Sequence, residues 1–402
     1  MEEKVKYDFS EAACREDTNA EKYVLRERLF GTEDVLPVWV ADMDINTPEF
    51  VLSAVAKRLQ HPIIGYEDFP DSARDAQREW MKEEHDFVFD REDMFYSHSV
   101  VASMAVAIEA FTQKGEGVIV QTPVYPPFFH SVINLERKLV KNPLMQDENG
   151  SYIFDIKDLK KKIDKETKLL LLCSPHNPVG RVWKKEELEA ILEVCIEHNI
   201  VVFSDEIHSD LVYAPNKHTP FATLNERAKQ ITLTAIGVGK TFNMAGFAIS
   251  TVIVQNEALR EKFKKAHARV HFAQGALLSH VAFESAYRNG KEWLEALKSH
   301  LHYNYISLEK LCLAYPEFIN ITPIEATYLA WLDCRKMALR DKDLRSFFID
   351  EAKLGLNAGI SFGREGSGFM RLNFAVSSAK MLEIIERLQN ALQNRRKKLE
   401  QN

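Results

Sequence analysis

Cysteine is scarce in this chain, and each one stands alone: Cys14, Cys173, Cys195, Cys312 and Cys334 are odd in number, widely spaced and form no C-x-x-C pair. That excludes a disulfide framework and a structural zinc site, and it fits a reducing compartment. No apolar run is long enough to span a bilayer. The opening MEEKVKYDFSEAACRED is charged where a secretory leader would need an apolar core. The expected location is therefore the cytoplasm. There is no internal repeat, no low-complexity stretch and no Gly/Ser-rich linker. No G-x-G-x-x-G follows an early strand, which argues against a nicotinamide-dependent enzyme. Positive charge is also in deficit. The formal net charge is -7, which disfavours nucleic acid as a partner. The basic run Arg395, Arg396, Lys397 and Lys398 has no interleaved aromatics and reads as a solvated helix end.

What is present is ordinary globular composition, 46% hydrophobic and 28% charged, over 402 residues. That length exceeds what one core usually serves, so two domains are expected. Short apolar runs alternate with amphipathic stretches. Val118–Val120, Leu169–Leu172, Ile200–Phe203, Ile231–Leu233 and Thr251–Val254 read as buried strands. Between them, Lys185–His198 places Leu188, Ile191, Leu192 and Cys195 on one helical face. The fold class is α/β, with a mostly parallel sheet between helices in a large domain over 48–290. A helix near Trp293–Ala314, strands near Thr327–Leu332 and Arg371–Ala375, and a long helix from Lys380 suggest a smaller α+β domain over 291–402, completed by 1–47.

Three features follow successive strands, where open α/β sheets bind ligands. The first is Ser174-Pro175-His176-Asn177-Pro178-Val179-Gly180, a stiff turn whose Asn amide can donate into the crevice. The second is Ser204-Asp205-Glu206-Ile207-His208, a carboxylate at the end of a hydrophobic strand that needs a cationic or hydrogen-bonding partner. A protonated pyridine nitrogen is one such partner; a helix cap is the plainer alternative. The third is Gly239-Lys240-Thr241-Phe242-Asn243-Met244-Ala245-Gly246, where desolvation can lower a lysine pKa and suit it to Schiff-base formation.

Together these features resemble the fold type I pyridoxal 5′-phosphate (PLP) enzymes of the class I/II aminotransferase superfamily. Within it the likeness is to the MalY/PatB-like cystathionine β-lyases, or carbon–sulfur lyases. It covers nearly the whole chain, with Pro37-Val38-Trp39-Val40-Ala41-Asp42-Met43-Asp44 as the segment most specific to that subgroup. Gly65-Tyr66, Thr122 to Phe128, Ser174 to Trp183 and Gly368-Phe369-Met370-Arg371-Leu372-Asn373 resemble it in the same order. The resemblance implies a PLP-dependent transferase-like fold, PLP as cofactor, a small amino-acid substrate and a homodimer that shares its active sites. No metal, membrane or nucleic acid is implied.

The resemblance also implies roles. Lys240 would form the Schiff base and shuttle the α-proton, Asp205 would pair with the ring N–H, and Asn177 would bond the ring 3′-oxygen, with His208 close to the cofactor. Tyr125 would stack on the ring and Arg371 would clamp the substrate carboxylate. The phosphate would lie over Ser99, Val100 and Val101 at a helix N-terminus, with Tyr66 reaching it from the other subunit. Trp39 and Asp42 would lie near the substrate. Two departures stand out. Thr234-Ala235-Ile236-Gly237-Val238-Gly239-Lys240 is two residues longer than the usual turn and lacks its Ser, so Thr234 or glycine N–H groups would substitute. Ser99 stands where a Gly is usual.

The core residues serve transamination and β-elimination alike. Resemblance to the lyase subgroup favours β-elimination from cystathionine or a related S-substituted cysteine, giving a thiol, pyruvate and ammonia. An aminotransferase is the enzymatic alternative, and a non-catalytic regulator of this fold the alternative of another class.

Overall fold

A computed structural model describes residues 7–271 and 275–401. Met1 to Lys6 of the charged opening, and residues 272–274 within the expected large domain, lie outside the described residues.

The main sheet has seven strands: β1 (Met94–Ser97), β2 (Gly117–Val120), β3 (Lys138–Lys141), β4 (Thr167–Cys173), β5 (Val201–Asp205), β6 (Thr232–Ile236) and β7 (Ser250–Ile253). Their order is β1-β7-β6-β5-β4-β2-β3, and β7 alone runs antiparallel to both its neighbours. The expected mostly parallel sheet is therefore present. Alternation along β4 shows why its run of leucines is continuous. Leu169 and Leu171 pack on one face against Met104, Ile108 and Phe263, while Leu170 and Leu172 pack on the other against Leu188, Ile191 and Cys195. Both faces are covered, so neither set of alternating positions can be polar.

Helices α1 (Glu49–Leu59), α2 (Asp71–His85), α3 (Val100–Phe111), α4 (Lys185–Glu197), α5 (Val238–Thr241), α6 (Glu257–Arg269), α7 (Leu277–Asn289), α8 (Lys291–Ala314) and α9 (Ser378–Glu400) complete the frame used below. A second, antiparallel sheet joins β8 (Asn320–Ile321), β9 (Leu329–Asp333), β10 (Asn357–Ala358) and β11 (Phe369–Asn373) in the order β8-β9-β11-β10. Its core is shared with α8, α9 and residues near the N-terminus.

Several expected boundaries move for local reasons. Ile231 closes a short helix, so β6 begins at Thr232. Thr327 has φ 73°, which is not an extended conformation, and β9 begins two residues later. After β11 the Asn373 carboxamide accepts from Ala375 N–H and ends the strand short of Ala375. The basic run at the end of α9 is not simply solvated. Arg395 donates to Met337 O and lies over Phe318 and Phe347, Arg396 pairs with Glu317, and Lys398 pairs with Glu351.

Between the sheets runs the irregular segment Val38 to Ile45. At its end sits a buried charge cluster. Lys22, fully buried, lies 2.8 Å from Asp42 and 3.3 Å from Asp44; Arg15 reaches the same two carboxylates at 2.7 and 2.9 Å. Lys380 of α9 adds a third cation, 2.9 Å from Asp44. Burial opposes ionisation of both acids, but the surrounding cations outweigh it and hold both carboxyls below the ordinary range.

Candidate active site

A cavity of about 220 Å³ lies at the edge where β4, β5 and β6 end. Strand register sets its floor: Cys173 pairs with Asp205, and Asp205 with Ala235, so the C-terminal ends of three parallel strands stand side by side. The loop after each strand then supplies one wall. Asn177, Asp205, His208 and Lys240 all line the cavity, as do Tyr125, Ser99, Val100 and Val101.

Lys240 follows β6 on α5, the single helical turn Val238–Thr241. Its Nζ donates to Ala41 O at 2.6 Å, and Tyr328 Oη donates to the same oxygen at 2.9 Å. Burial, reinforced by the Arg371 cation, brings its pKa down from 10.5 to about 8. Asp205, also buried, accepts from Ile207 N–H at 3.1 Å. Burial pushes its pKa up to about 7, against the pull of that bond and of Lys240. Such a carboxyl becomes a stable anion only when a cation joins it.

Arg371, in the middle of β11, donates to Asn177 Oδ1 at 3.0 Å, to Trp39 O at 2.9 Å and to Asn357 Oδ1 at 2.8 Å. All three acceptors are neutral, its Nε is buried without a partner, and the ion pairs among the described residues include none to it. Burial lowers its pKa to about 10. A buried guanidinium without a carboxylate is a standing demand for an anion. Arg371 contributes no cavity wall itself; it stands behind Asn177 and over the Phe362 ring. His208 is driven to a pKa of about 3, first by burial and then by Lys240 and Arg371, so its ring is neutral, with Nδ1 buried and unpartnered.

The opposite end of the cavity is the N-terminus of α3. Ser99 caps it, its hydroxyl accepting from Ala102 N–H at 3.1 Å. Its φ of -162° is extended backbone, so the position does not need glycine. Unpaired N–H groups of the first turn suit an anion there.

Four expected residues are placed differently. Thr234 is fully buried within β6, its hydroxyl has no hydrogen-bond partner, and it does not line the cavity; Ser250, at the start of β7, does. A side chain in mid-strand cannot reach the strand end, which corrects the expected substitution. Asp42 turns its carboxylate into the charge cluster with Arg15 and Lys22, away from the lining. Trp39 donates from Nε1 to Lys22 O at 3.1 Å, and only its backbone carbonyl touches the site, through Arg371. Tyr66 is 93% exposed and is not brought to the cavity of its own chain. Sequence reading missed Ser250, Met244, Ile207 and Cys173 as lining residues. Of these Cys173 was within reach, since it ends the same strand that delivers Asn177.

The cavity thus offers an amine near neutrality, a carboxyl awaiting a cation and a helix end awaiting an anion. PLP carries an aldehyde, a ring nitrogen that binds a proton and a phosphate, and these residues fit it. An amino acid's carboxylate fits Arg371.

Comparison with known proteins agrees. The family model for aminotransferase class I and II matches residues 35–388. The chain is 36% identical to cystathionine beta-lyase PatB of Bacillus subtilis, covering 96% of this chain and 100% of that one. It is 32% identical to protein MalY of Escherichia coli, covering 96% and 99%. Cystalysin from Treponema denticola, whose structure contains pyridoxal 5′-phosphate, superposes with a TM-score of 0.93 at 33% identity, covering 96% and 99%.

Removing the Arg371 cation relieves Lys240 of a like charge. Arg371→Gln should therefore raise the Lys240 pKa above its value near 8 in the cofactor-free protein. The pH dependence of amine acylation at Lys240, followed by peptide mass spectrometry, checks this. Identical midpoints in the two proteins would contradict it.

Proposed function

Because this chain belongs to the class I and II aminotransferase family, we propose that it uses PLP to release a thiol from the β-carbon of an S-substituted cysteine. L-cystathionine is the reference substrate, and pyruvate and ammonia are the other products. The observation that carries the reading is the convergence of Lys240 and Asp205 on one cavity, with the acid-free Arg371 directly behind its Asn177 wall, in a chain similar over 96% of its length to a cystathionine β-lyase.

The cofactor, when bound, supplies an electron-withdrawing ring that accepts the charge left at the α-carbon, so that a thiolate can depart from the β-carbon. The rest falls to the protein. Arg371 holds the substrate carboxylate with its planar fork, oriented by Asn177 and Asn357. Lys240, with a pKa near neutrality, can take the α-proton and give it back. Asp205 would pair with the protonated ring nitrogen, which would stabilise its own ionised form. Tyr125 would stack on the ring, and the N–H groups of Val100 and Val101 with the Ser99 end of α3 would hold the phosphate. Neutral His208 would add no competing charge to the cofactor site. Phe128, Ile207 and Met244 supply apolar wall that would limit water at the reacting carbon.

The domain division over 48–290, with 1–47 and 291–402 as the second unit, belongs to this reading, as does a cytoplasmic setting. The five cysteines are unpaired, and among the described residues no helix is long and apolar enough to cross a membrane. The reading also includes a homodimer. Ile63, Ile64 and Tyr66 are 66%, 57% and 93% exposed in a segment without helix or strand, an apolar run that a second copy would cover.

The protein loaded with PLP should be yellow and release pyruvate and thiol from L-cystathionine, and Lys240→Ala should abolish both. Amino transfer to a keto acid without pyruvate release would move the reaction to an aminotransferase. Tyr66→Phe should weaken cofactor affinity about tenfold, as loss of one charge-assisted hydrogen bond predicts, with the two-copy mass unchanged in light scattering. A single-copy mass for the wild type, or unaltered affinity, would contradict the shared site.

A further inference from the structure

Two buried acid–histidine pairs stand next to the cavity, and the reaction above uses neither. Asp210 accepts at Oδ1 from His85 Nε2 (2.7 Å) and Trp80 Nε1 (2.9 Å), and at Oδ2 from the Thr241 hydroxyl (2.8 Å). Glu206 accepts from Ser204 Oγ (2.7 Å), Phe221 N–H (2.9 Å) and His218 Nε2 (2.9 Å). The His85 and His218 rings meet edge to face with centroids 5.7 Å apart. None of Asp210, Glu206, His85 and His218 lines the cavity. Yet Thr241 is the residue after Lys240, and Glu206 the residue after Asp205.

Burying a carboxylate costs stability that an apolar replacement would not, so stability alone does not explain it, and such groups can serve to specify geometry. Here there is a geometry to specify. α5 is a four-residue turn that contains Gly239 and is preceded by Gly237, too short to hold itself in place. Among the described residues, the Thr241 hydroxyl bond to Asp210 is the one side-chain hydrogen bond that ties it to a buried acid. Asp210 is in turn fixed by Trp80 and His85 of α2. Burial opposes its ionisation, but His85, Trp80 and Thr241 prevail and keep it below the ordinary range, so it accepts from all three. The charges that bear most on Lys240 are Arg371, Asp42, Asp205 and Lys22, so Asp210 works by placement rather than by field.

We propose that Asp210 is a positioning residue for Lys240, acting through the Thr241 hydroxyl. The proposal rests on the reading that Lys240 performs the chemistry.

The test uses full-length Thr241→Val and Thr241→Ser beside wild type. Three quantities are read: the rate at which the cofactor-free protein captures PLP, seen in absorbance, and kcat and KM for pyruvate release. Valine should lower both the capture rate and kcat about tenfold or more with KM within about twofold, since a small misplacement of a reacting group costs rate rather than binding. Serine, which keeps the hydroxyl, should restore both. A valine variant equal to wild type overturns the proposal, and so does a serine variant as slow as valine. Should valine not fold, Asp210→Asn takes its place with the same expected losses, and unchanged capture and kcat overturn the proposal. A wild type that captures no cofactor sinks the functional reading as well, which separates the two failures.

Discussion

Eight residues of irregular backbone, Val38 to Ile45, cross the interior, where every carbonyl must find a donor. Most of the site follows from how that requirement is met. Trp39 O takes Arg371, Val40 O and Asp42 O take the Asn373 carboxamide, and Ala41 O takes both Lys240 and Tyr328. Met43 and Ile45 are held by Asn243, three residues beyond Lys240. Lys22 and Arg15 fasten the far end through Asp42 and Asp44. Residues that would bind substrate and cofactor are therefore also the donors that let this segment pass. The same bonds tie the second sheet, through β11, to the strand ends of the first.

A site built this way carries unbalanced charge. Arg371 is buried among neutral acceptors, burial raises the pKa of Asp205, and Lys240 loses basicity to burial. Each of these costs folding stability, and each would be relieved by a ligand bearing the complementary group. The contrast with the Asp42–Asp44 cluster is instructive. There every acid faces two or more cations, so the charges are satisfied within the chain and remain structural. Position next to the cavity does not separate the two cases. The presence or absence of a counter-charge does.

Much of this was legible in the sequence because it depends on local order. The Lys185–Glu197 helix follows from apolar spacing, and β4 and β5 follow from runs too long and too hydrophobic for a half-exposed strand. Asn177, Asp205 and Lys240 stand just after or at the end of such runs, so finding the strands located the residues. What was not legible depends on contacts far apart in the chain. Nothing local shows that Lys22 in a short charged helix is fully buried, or that Asp42 turns toward it. Thr234 and Ser250 carry hydroxyls on neighbouring strands; only the antiparallel direction of β7 puts Ser250 at the cavity edge and leaves Thr234 inside. Nor does anything local show that Tyr66 and the isoleucines beside it stay exposed, away from the cavity of their own chain.

The central claim is that one lysine of this chain, Lys240, holds the cofactor covalently. Reducing the PLP-loaded protein with borohydride and mapping its peptides by mass spectrometry tests this directly. The account predicts a single phosphopyridoxyl adduct, on the peptide that carries Lys240, at close to one per chain. An adduct on another lysine, or none on a protein that has taken up the cofactor, would contradict it.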